Sequence, residues 1–515
     1  MLTAATYRYL GVLAFGWFFA GPMTAAEKES LLIFPSMLSP DGKYAVAWSD
    51  ASYRESGEAP NFVVETAKKQ VVTEIPGGGY YETAAGSRPQ YLTLEAGWAD
   101  DSQVVVTHHA ERWGLPQSLA WIPLKSRTAY EILPRLQQAY RAYVSREGIE
   151  AKELDVLFGE PVVLSKEILV IDAEVIRTVN HRPLASHRIK VRVKTAGKDA
   201  KLTVLGGYEI HDADETRPVY GEDREPTPEE KLQQTYKRLL AALDEPARAA
   251  TAADQTRWLQ QREAAKLEGK ALDDFIGQRE YELSWEAKIQ ESYRSLLATL
   301  DDAGKAALKD GQSRWLQQRA AIKGDAKAAI SSNHQRWSYL SEEAALNKSY
   351  QRLRDSLDET EGAKLQQDQE HWLEQRKAES QEISATHVRA GELRDELALN
   401  KAYQRLHALL HDAGRAKLKL EQERWLKQRV AQVEGTPLTS TRAGDLEDEA
   451  DLHEAYQQLR AKLGEKERTT LREKQQVWLK VRAALGDESD RFIFTTYRTN
   501  YLRARFEDLT GKFTR

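Results

Sequence analysis

Two histidine pairs come nearest to chemistry in this sequence. His108 and His109 stand side by side, with Glu111 two residues on. Imidazoles and a carboxylate are the usual donors for zinc and related metals. The pair follows a β-branched run, VVVT (104–107). Adjacent strand residues point to opposite faces, so the two rings read as solvated side chains rather than joint ligands. His407 and His411 are four apart, the spacing of two ligands on one helical turn. No third ligand accompanies them, and a solvated helix face is expected. The glycine run 77–79 lies between strands and lacks the following helix whose amides would hold a phosphate. The chain has no cysteine, which excludes disulfides, a thiol nucleophile and thiolate metal sites. Phosphate-loop, dinucleotide, HExxH and GxSxG motifs are absent. No carboxylate stands in an apolar stretch that would raise its pKa. The expectation is a protein without enzymatic activity, cofactor or metal.

The recurring chemistry is of another kind. From Tyr236, Gln255 lies 19 residues on, Trp258 22 on and Arg262 26 on. The same offsets give Gln312, Trp315 and Arg319 from Tyr293, and Gln369, Trp372 and Arg376 from Tyr350. They give Gln422, Trp425 and Arg429 from Tyr403, and Gln475, Trp478 and Arg482 from Tyr456. Five copies without slippage define a repeat of 57, 57, 53 and 53 residues. An Arg stands 14 residues before each of the last four tyrosines (Arg279, Arg336, Arg389, Arg442), followed four later by a Leu. The lost residues therefore fall between the Trp and this Arg, in what reads as a connector between helices of constant length. Trp supplies buried area and one N–H donor, Gln and Arg can hydrogen-bond carbonyls or carboxylates of the facing helix, and Arg can stack on a ring. Because the set recurs in every copy, its role reads as packing, the alternative being a binding face repeated five times.

The elements that carry these residues are helical. Ile289, Tyr293, Leu296 and Leu300 form one amphipathic stripe. Leu308, Gln312, Trp315, Leu316 and Arg319 form another. The short link at LDDAG (300–304) makes each pair an antiparallel hairpin, its first helix of ~22 residues spanning about 33 Å. The five hairpins fill 231–488, starting near 231, 276, 333, 386 and 439. SDRFIFTTYRTNYLRARFEDL (489–509), within 489–515, keeps the Arg–Leu pair as Arg498 and Leu502 and reads as a capping helix.

Residues 27–215 read as β-rich. Strands are predicted in 39–49, 61–75, 97–109, 118–133, 167–176, 187–194 and 200–210, with one helix near Pro134 to Arg146. Turn-then-strand units, SPDG (39–42) and ADDS (99–102), are similar to blades of TolB-like or WD40-like propellers. The fold class is thus α+β and multidomain: an antiparallel β domain, propeller-like or sandwich-like, then an all-α array of five helical hairpins. A Pro- and acid-rich linker (216–230) joins them and ends in a helix start, with Thr227 as N-cap, Pro228 at N1 and Glu230 at N3. Residues 1–26 carry Arg8, the apolar run Leu10 to Ala20 and a small-residue stretch, the pattern of a secretory signal peptide. Localisation is expected to be periplasmic or secreted in a bacterium, with no membrane span after signal removal.

The repeat resembles the lysozyme-inhibitor LprI N-terminal family, whose core runs Leu-Asn-x-x-Tyr-x-x-Leu, then Leu-x-x-x-Gln-x-x-Trp-Leu-x-x-Arg. Leu346, Asn347, Tyr350 and Leu353 fit the first part, and Leu365, Gln369, Trp372, Leu373 and Arg376 the second. Leu399, Asn400 and Tyr403, with Leu418, Gln422, Trp425, Leu426 and Arg429, fit again. The resemblance covers about 229–510. It implies an exported, non-enzymatic binding protein whose partner is a protein, a lysozyme or another cell-wall component. Members of that family usually carry flanking cysteines and one such domain, whereas this chain has no cysteine and five copies. The alternative is an envelope scaffold with the repeats as spacer. Net charge is -5, with 23 basic and 27 acidic residues in 27–220 and 50 and 52 in 221–515, which points to no nucleic acid.

Overall fold

The computed structural model describes residues 31–50, 53, 59–83, 89, 91–111, 115–146, 155–176, 183–210, 227–243, 245–322, 326–378, 382–431, 438–486 and 488–513. The proposed signal peptide and most of the linker lie outside them. Antiparallel sheets fill residues 31–210 and helices the region 228–509, as the composition and the repeats require. The chain divides into two compact units, Met1–Ala213 with Asp451–Arg515, and Asp214–Ala450.

The first unit contains three sheets. β1 (Leu31–Leu38), β2 (Tyr44–Ser49), β3 (Asn61–Glu65) and β4 (Gln70–Ile75) form a meander in chain order. β5 (Leu92–Trp98), β6 (Val104–Glu111), β7 (Pro116–Pro123) and β8 (Tyr130–Glu131) form a second. α1 (Leu133–Ser145) follows, at the position expected for the lone helix. In the third sheet β11 (Ile168–Ile176), β12 (Pro183–Ala196) and β13 (Asp199–Glu209) pair in order. β9 (Asp155–Phe158) and β10 (Val162–Ser165) share the other edge of β11.

The run VVV (104–106) shows why the second sheet is apolar on both faces. Val105 joins Val46, Trp48 and Val63 of the first sheet in one core. Val104 and Val106 face the other way, with Leu136 and Tyr140 of α1 and Leu169, Ile171 and Ile189 of the third sheet. Alternation with period two serves two cores at once. β1, β5, β9 and β10 escape the sequence reading. LLIFPSML contains a proline, LTLEAGW an acid and a glycine, and DVLF and VVLS are only four residues long.

The second unit is built on long helices. These are α2 (Pro228–Ala242), α4 (Gly269–Thr299), α6 (Ala326–Ser356) and α8 (Glu382–Leu409), each packed on the next. Between them come the Trp helices α3 (Glu245–Ala265), α5 (Asp302–Ala321), α7 (Glu359–Ala378) and α9 (Asp412–Val430). α10 (Thr439–Lys462) runs from this unit into the first, where α11 (Glu465–Ala484) and α12 (Glu488–Leu509) complete the chain. The capping box at Thr227 is present: its hydroxyl accepts from Glu230 N at 3.3 Å and the Glu230 carboxylate accepts from Thr227 N at 2.7 Å.

Two readings of the repeat change. The first helix of the hairpin departs from ~22 residues in both directions: it has 15 in α2, 31 in α4 and α6, 28 in α8 and 24 in α10. The variable length lies in the helix starts as well as in the connectors ahead of them: α4 and α6 begin ten residues before Arg279 and Arg336, α8 seven before Arg389, and α10 three before Arg442. The reason is that each long helix serves two cores. Ile276, Leu283 and Ala287 of α4 pack with Leu232, Leu239 and Trp258, whereas Ile289 and Leu296 pack with Leu308 and Trp315. The packing unit is a three-helix cluster with shared long helices rather than an isolated hairpin. The extra turns lie ahead of the shared stretch, where length is free to vary.

Candidate functional site

The five repeated sets make the same contacts. Each Gln accepts, through Oε1, a hydrogen bond from the Arg near the start of the next long helix. Arg279 Nε donates to Gln255 at 3.1 Å, Arg336 Nε to Gln312 at 2.9 Å and Arg389 Nε to Gln369 at 3.2 Å. Arg442 Nε donates to Gln422 at 3.4 Å and Arg498 Nε to Gln475 at 2.9 Å. Each Trp+4 Arg lays its guanidinium over the indole: Arg262 on Trp258, Arg319 on Trp315, Arg376 on Trp372, Arg429 on Trp425 and Arg482 on Trp478, at 4.9–5.7 Å. Arg319 also pairs with Glu286 at 2.7 Å, Arg376 with Glu343 and Arg429 with Glu396, each Glu standing seven residues before its Tyr. The tyrosines 236, 293, 350, 403 and 456 are half-buried against the same clusters. The repeated residues thus hold helix to helix.

The histidines move away from a ligand role. His108 and His109 lie within β6, not beyond it, and both are buried rather than solvated. They do face opposite sides. His108 Nδ1 is 3.5 Å from Glu95, and His109 Nε2 is 3.2 Å from Asn61 Oδ1. Burial, then the charge of His108, lowers the His109 pKa to about 4, so this ring is neutral at physiological pH. His407 belongs to α8, while His411 is the N-cap of α9 and accepts from Gly414 N at 3.0 Å. They do not share a helix. No group of three metal-donor side chains occurs among the described residues.

Within the first unit, α12 contributes Phe494 and Leu502 to the fifth repeat's core, and its other face docks on β1 and β10. Ala504, and Phe513 just beyond it, pack with Val162, Leu164 and Val170. A terminal cap normally turns a polar face to solvent. Here sheets cover that face. Arg498, 2% exposed, pairs with Asp100 of the ADDS turn, which Lys474 also reaches at 2.9 Å. Burial pushes the Asp100 carboxyl up, but Arg498 and Lys474 outweigh it and hold the pKa below the usual value. Gly42, at φ +70°, closes the SPDG turn so tightly on α11 that an added Cβ would meet Val481 at 3.2 Å. The cavity beside Asp100, lined by Trp98, Trp478, Tyr497 and Tyr501, holds about 40 Å³, enough for water but for no substrate.

Carboxylates do sit in contexts that raise their pKa, against the reading from sequence: burial lifts Glu74, Asp172 and, furthest, Glu160. Burial, then the charge of Glu95, lifts Glu160 to about 7, partly offset by Asn500, whose Nδ2 donates at 2.9 Å. Its hydrogen-bond partner Asn500 lies 340 residues along the chain, in α12, and is invisible in the local sequence. A carboxyl whose folded pKa is raised stabilises fully below its unfolded value, here 4.5, and loses that contribution as pH rises through about 7. At 1.36 kcal/mol per unit, discounted for partial exposure, the loss is roughly 1–2 kcal/mol. Glu160→Gln is expected to flatten the stability profile between these pH values. Urea midpoints at pH 5 and pH 8 check this, and an unchanged slope would refute it.

An open concavity of the second unit lies between α7 and α9, over α8. It measures about 1020 Å³. Leu353, Leu365, Leu393, Leu399, Tyr403, Leu426 and Leu438 supply apolar surface, and Leu426 and Leu438 are 38% and 73% exposed. Six acids line it (Glu361, Asp368, Glu392, Asp395, Glu396, Glu423) against four cations (Lys364, Arg389, Lys419, Arg429). Arg389 pairs with Glu392, and Arg429 with Glu396, so the unpaired remainder is acidic. The groove exists because the long helices pack directly while the Trp helices stand apart. Among the described residues no helix is long and apolar enough to cross a membrane. Compared with known proteins, the chain matches no protein family, no curated protein and no solved structure.

Proposed function

We propose that this is an exported, non-enzymatic binding protein, resident in the bacterial periplasm or secreted, that acts through its helical repeats. Its partner is a protein, a lysozyme or a cell-wall component, as the repeat's resemblance implies. The observation that carries this reading is the groove between α7 and α9. The repeated Tyr, Gln, Trp and Arg side chains are engaged inside the array, while the groove leaves exposed leucines and an acidic excess toward solvent. Apolar anchors ringed by charge of one sign suit a basic partner surface.

The test is inhibition of several lysozyme classes by the full chain and by a Glu361→Lys, Glu423→Lys variant. Stoichiometric inhibition that weakens at least tenfold in the variant supports the reading, since each like-charge contact costs ~1 kcal/mol or more. Point variants serve better than removing residues 27–228, because that truncation would bare the face of α12 that β1 and β10 cover. The second reading, an envelope scaffold, is favoured by the helix-to-helix contacts that the repeated residues make in every copy. Absence of inhibition across all classes would leave the scaffold in front.

A further inference from the structure

The repeat provides its own control for what is unusual. The aromatic residues present in every copy, one Tyr and one Trp, are explained by packing. Trp285 and Trp337 lie outside that repeated set, although Trp337 also packs against the core of Ile289 and Leu296. Trp285 stands eight residues before Tyr293, where other copies have Glu342, Asp395 and Asp448. Trp337 stands thirteen before Tyr350, where others have Glu280, Ala390 and Ala443. Both break the pattern at a single place, the junction of α4 and α6. There the rings meet nearly at right angles: Trp285 and Trp337 at 5.6 Å and 69°, Trp285 and His334 at 5.4 Å and 69°, Tyr281 and Trp285 at 6.1 Å and 83°.

Crossed rings form the walls of a box whose faces carry negative quadrupole charge. A cation already occupies it. The Lys288 ammonium lies 4.6 Å from the Trp285 centroid and 5.9 Å from that of Trp337. Among the described residues it has no carboxylate within ion-pair distance. Its neighbour Glu286 is engaged by Arg319 at 2.7 Å.

We infer that the aromatic box of Trp285, Trp337, Tyr281 and His334 binds a trimethylammonium group, with Lys288 as its resident occupant. The chemistry selects the methylated cation. A primary ammonium brings three N–H donors, and the box offers π faces instead of acceptors. A quaternary nitrogen has no donors to leave unsatisfied and is weakly hydrated, so it loses little on entering. Such a group comes from free choline-type molecules or from a lipid headgroup. The site is independent of the groove between α7 and α9, and the two readings fail separately.

The probe is choline chloride, followed through the indole N–H signals of the full-length protein, with Trp285→Phe and Trp337→Phe used to assign the two indoles. Saturable shifts of those signals, absent with equal sodium chloride, are expected. Lys288→Met should bind choline ~3–10-fold tighter because the internal competitor is gone. Trp337→Leu should abolish binding while leaving the helical circular dichroism unchanged. Binding to phosphatidylcholine vesicles that choline displaces would identify the headgroup as the source. Vesicle binding that choline does not displace, or the absence of saturable shifts in Lys288→Met, overturns the proposal.

Discussion

Replacing Arg498 by Met is expected to lower the stability of the β-containing unit by about 3–5 kcal/mol, the cost of leaving a buried carboxylate without its partner. Arg498 is 2% exposed, and Asp100 10%. Lys474, at 2.9 Å but 38% exposed, compensates only in part, which places the effect toward the lower end. The double replacement Asp100→Leu, Arg498→Met should recover most of the loss, because no charge then remains to be solvated. Urea midpoints of the two single variants and the double variant form the cycle. Equal losses that simply add would show that the pair does not act as a unit. The same pair has an acid limit. The Asp100 pKa is lowered, so its contribution is present above the unfolded value near 3.8 and lost as pH falls through the folded one. This trend runs opposite to that of Glu160, and stability should peak between the two.

Trp478→Ala is expected to cost about 3–5 kcal/mol through transfer and cavity together. Trp478 is 2% exposed, stacks on Phe494 at 5.3 Å and 4°, and carries Arg482 over its other face at 5.6 Å. Its core joins α10, α11 and α12 through Leu459, Leu471 and Leu502 and reaches Leu38 of β1. The loss should therefore appear as unfolding of strands as well as helices. Trp372→Ala provides the comparison. That ring is half-buried, so about half the cost is expected. Thermal melts followed in the far and near ultraviolet measure both. A Trp478→Ala protein whose strands melt at the wild-type temperature would contradict the shared core.

Much of this architecture is legible locally. Five Tyr–Gln–Trp–Arg sets at fixed offsets require helices, because only a 3.6-residue period brings those positions to one face. SPDG and ADDS before β-branched runs require turns and strands. The cap at Thr227 follows from three residues. What escaped is what depends on partners far along the chain. His108 and His109 are polar in any local window, yet sheets on both faces of β6 bury them. His407 and His411 have helical spacing, yet a helix ends between them. Glu160 sits beside a glycine and a proline, and its partner Asn500 lies 340 residues along the chain, in α12.

The sequence by itself determined the repeat, the helix-bearing and strand-bearing halves, and the stacking of Arg on a ring, since these follow from periodicity and side-chain chemistry. Only the tertiary structure decided that long helices are shared between cores, that the last helix turns its outer face to strands, and that Trp285 and Trp337 enclose Lys288. Those outcomes depend on which surfaces meet, and burial between surfaces distant in the chain is set by the summed packing of both, not by either segment alone.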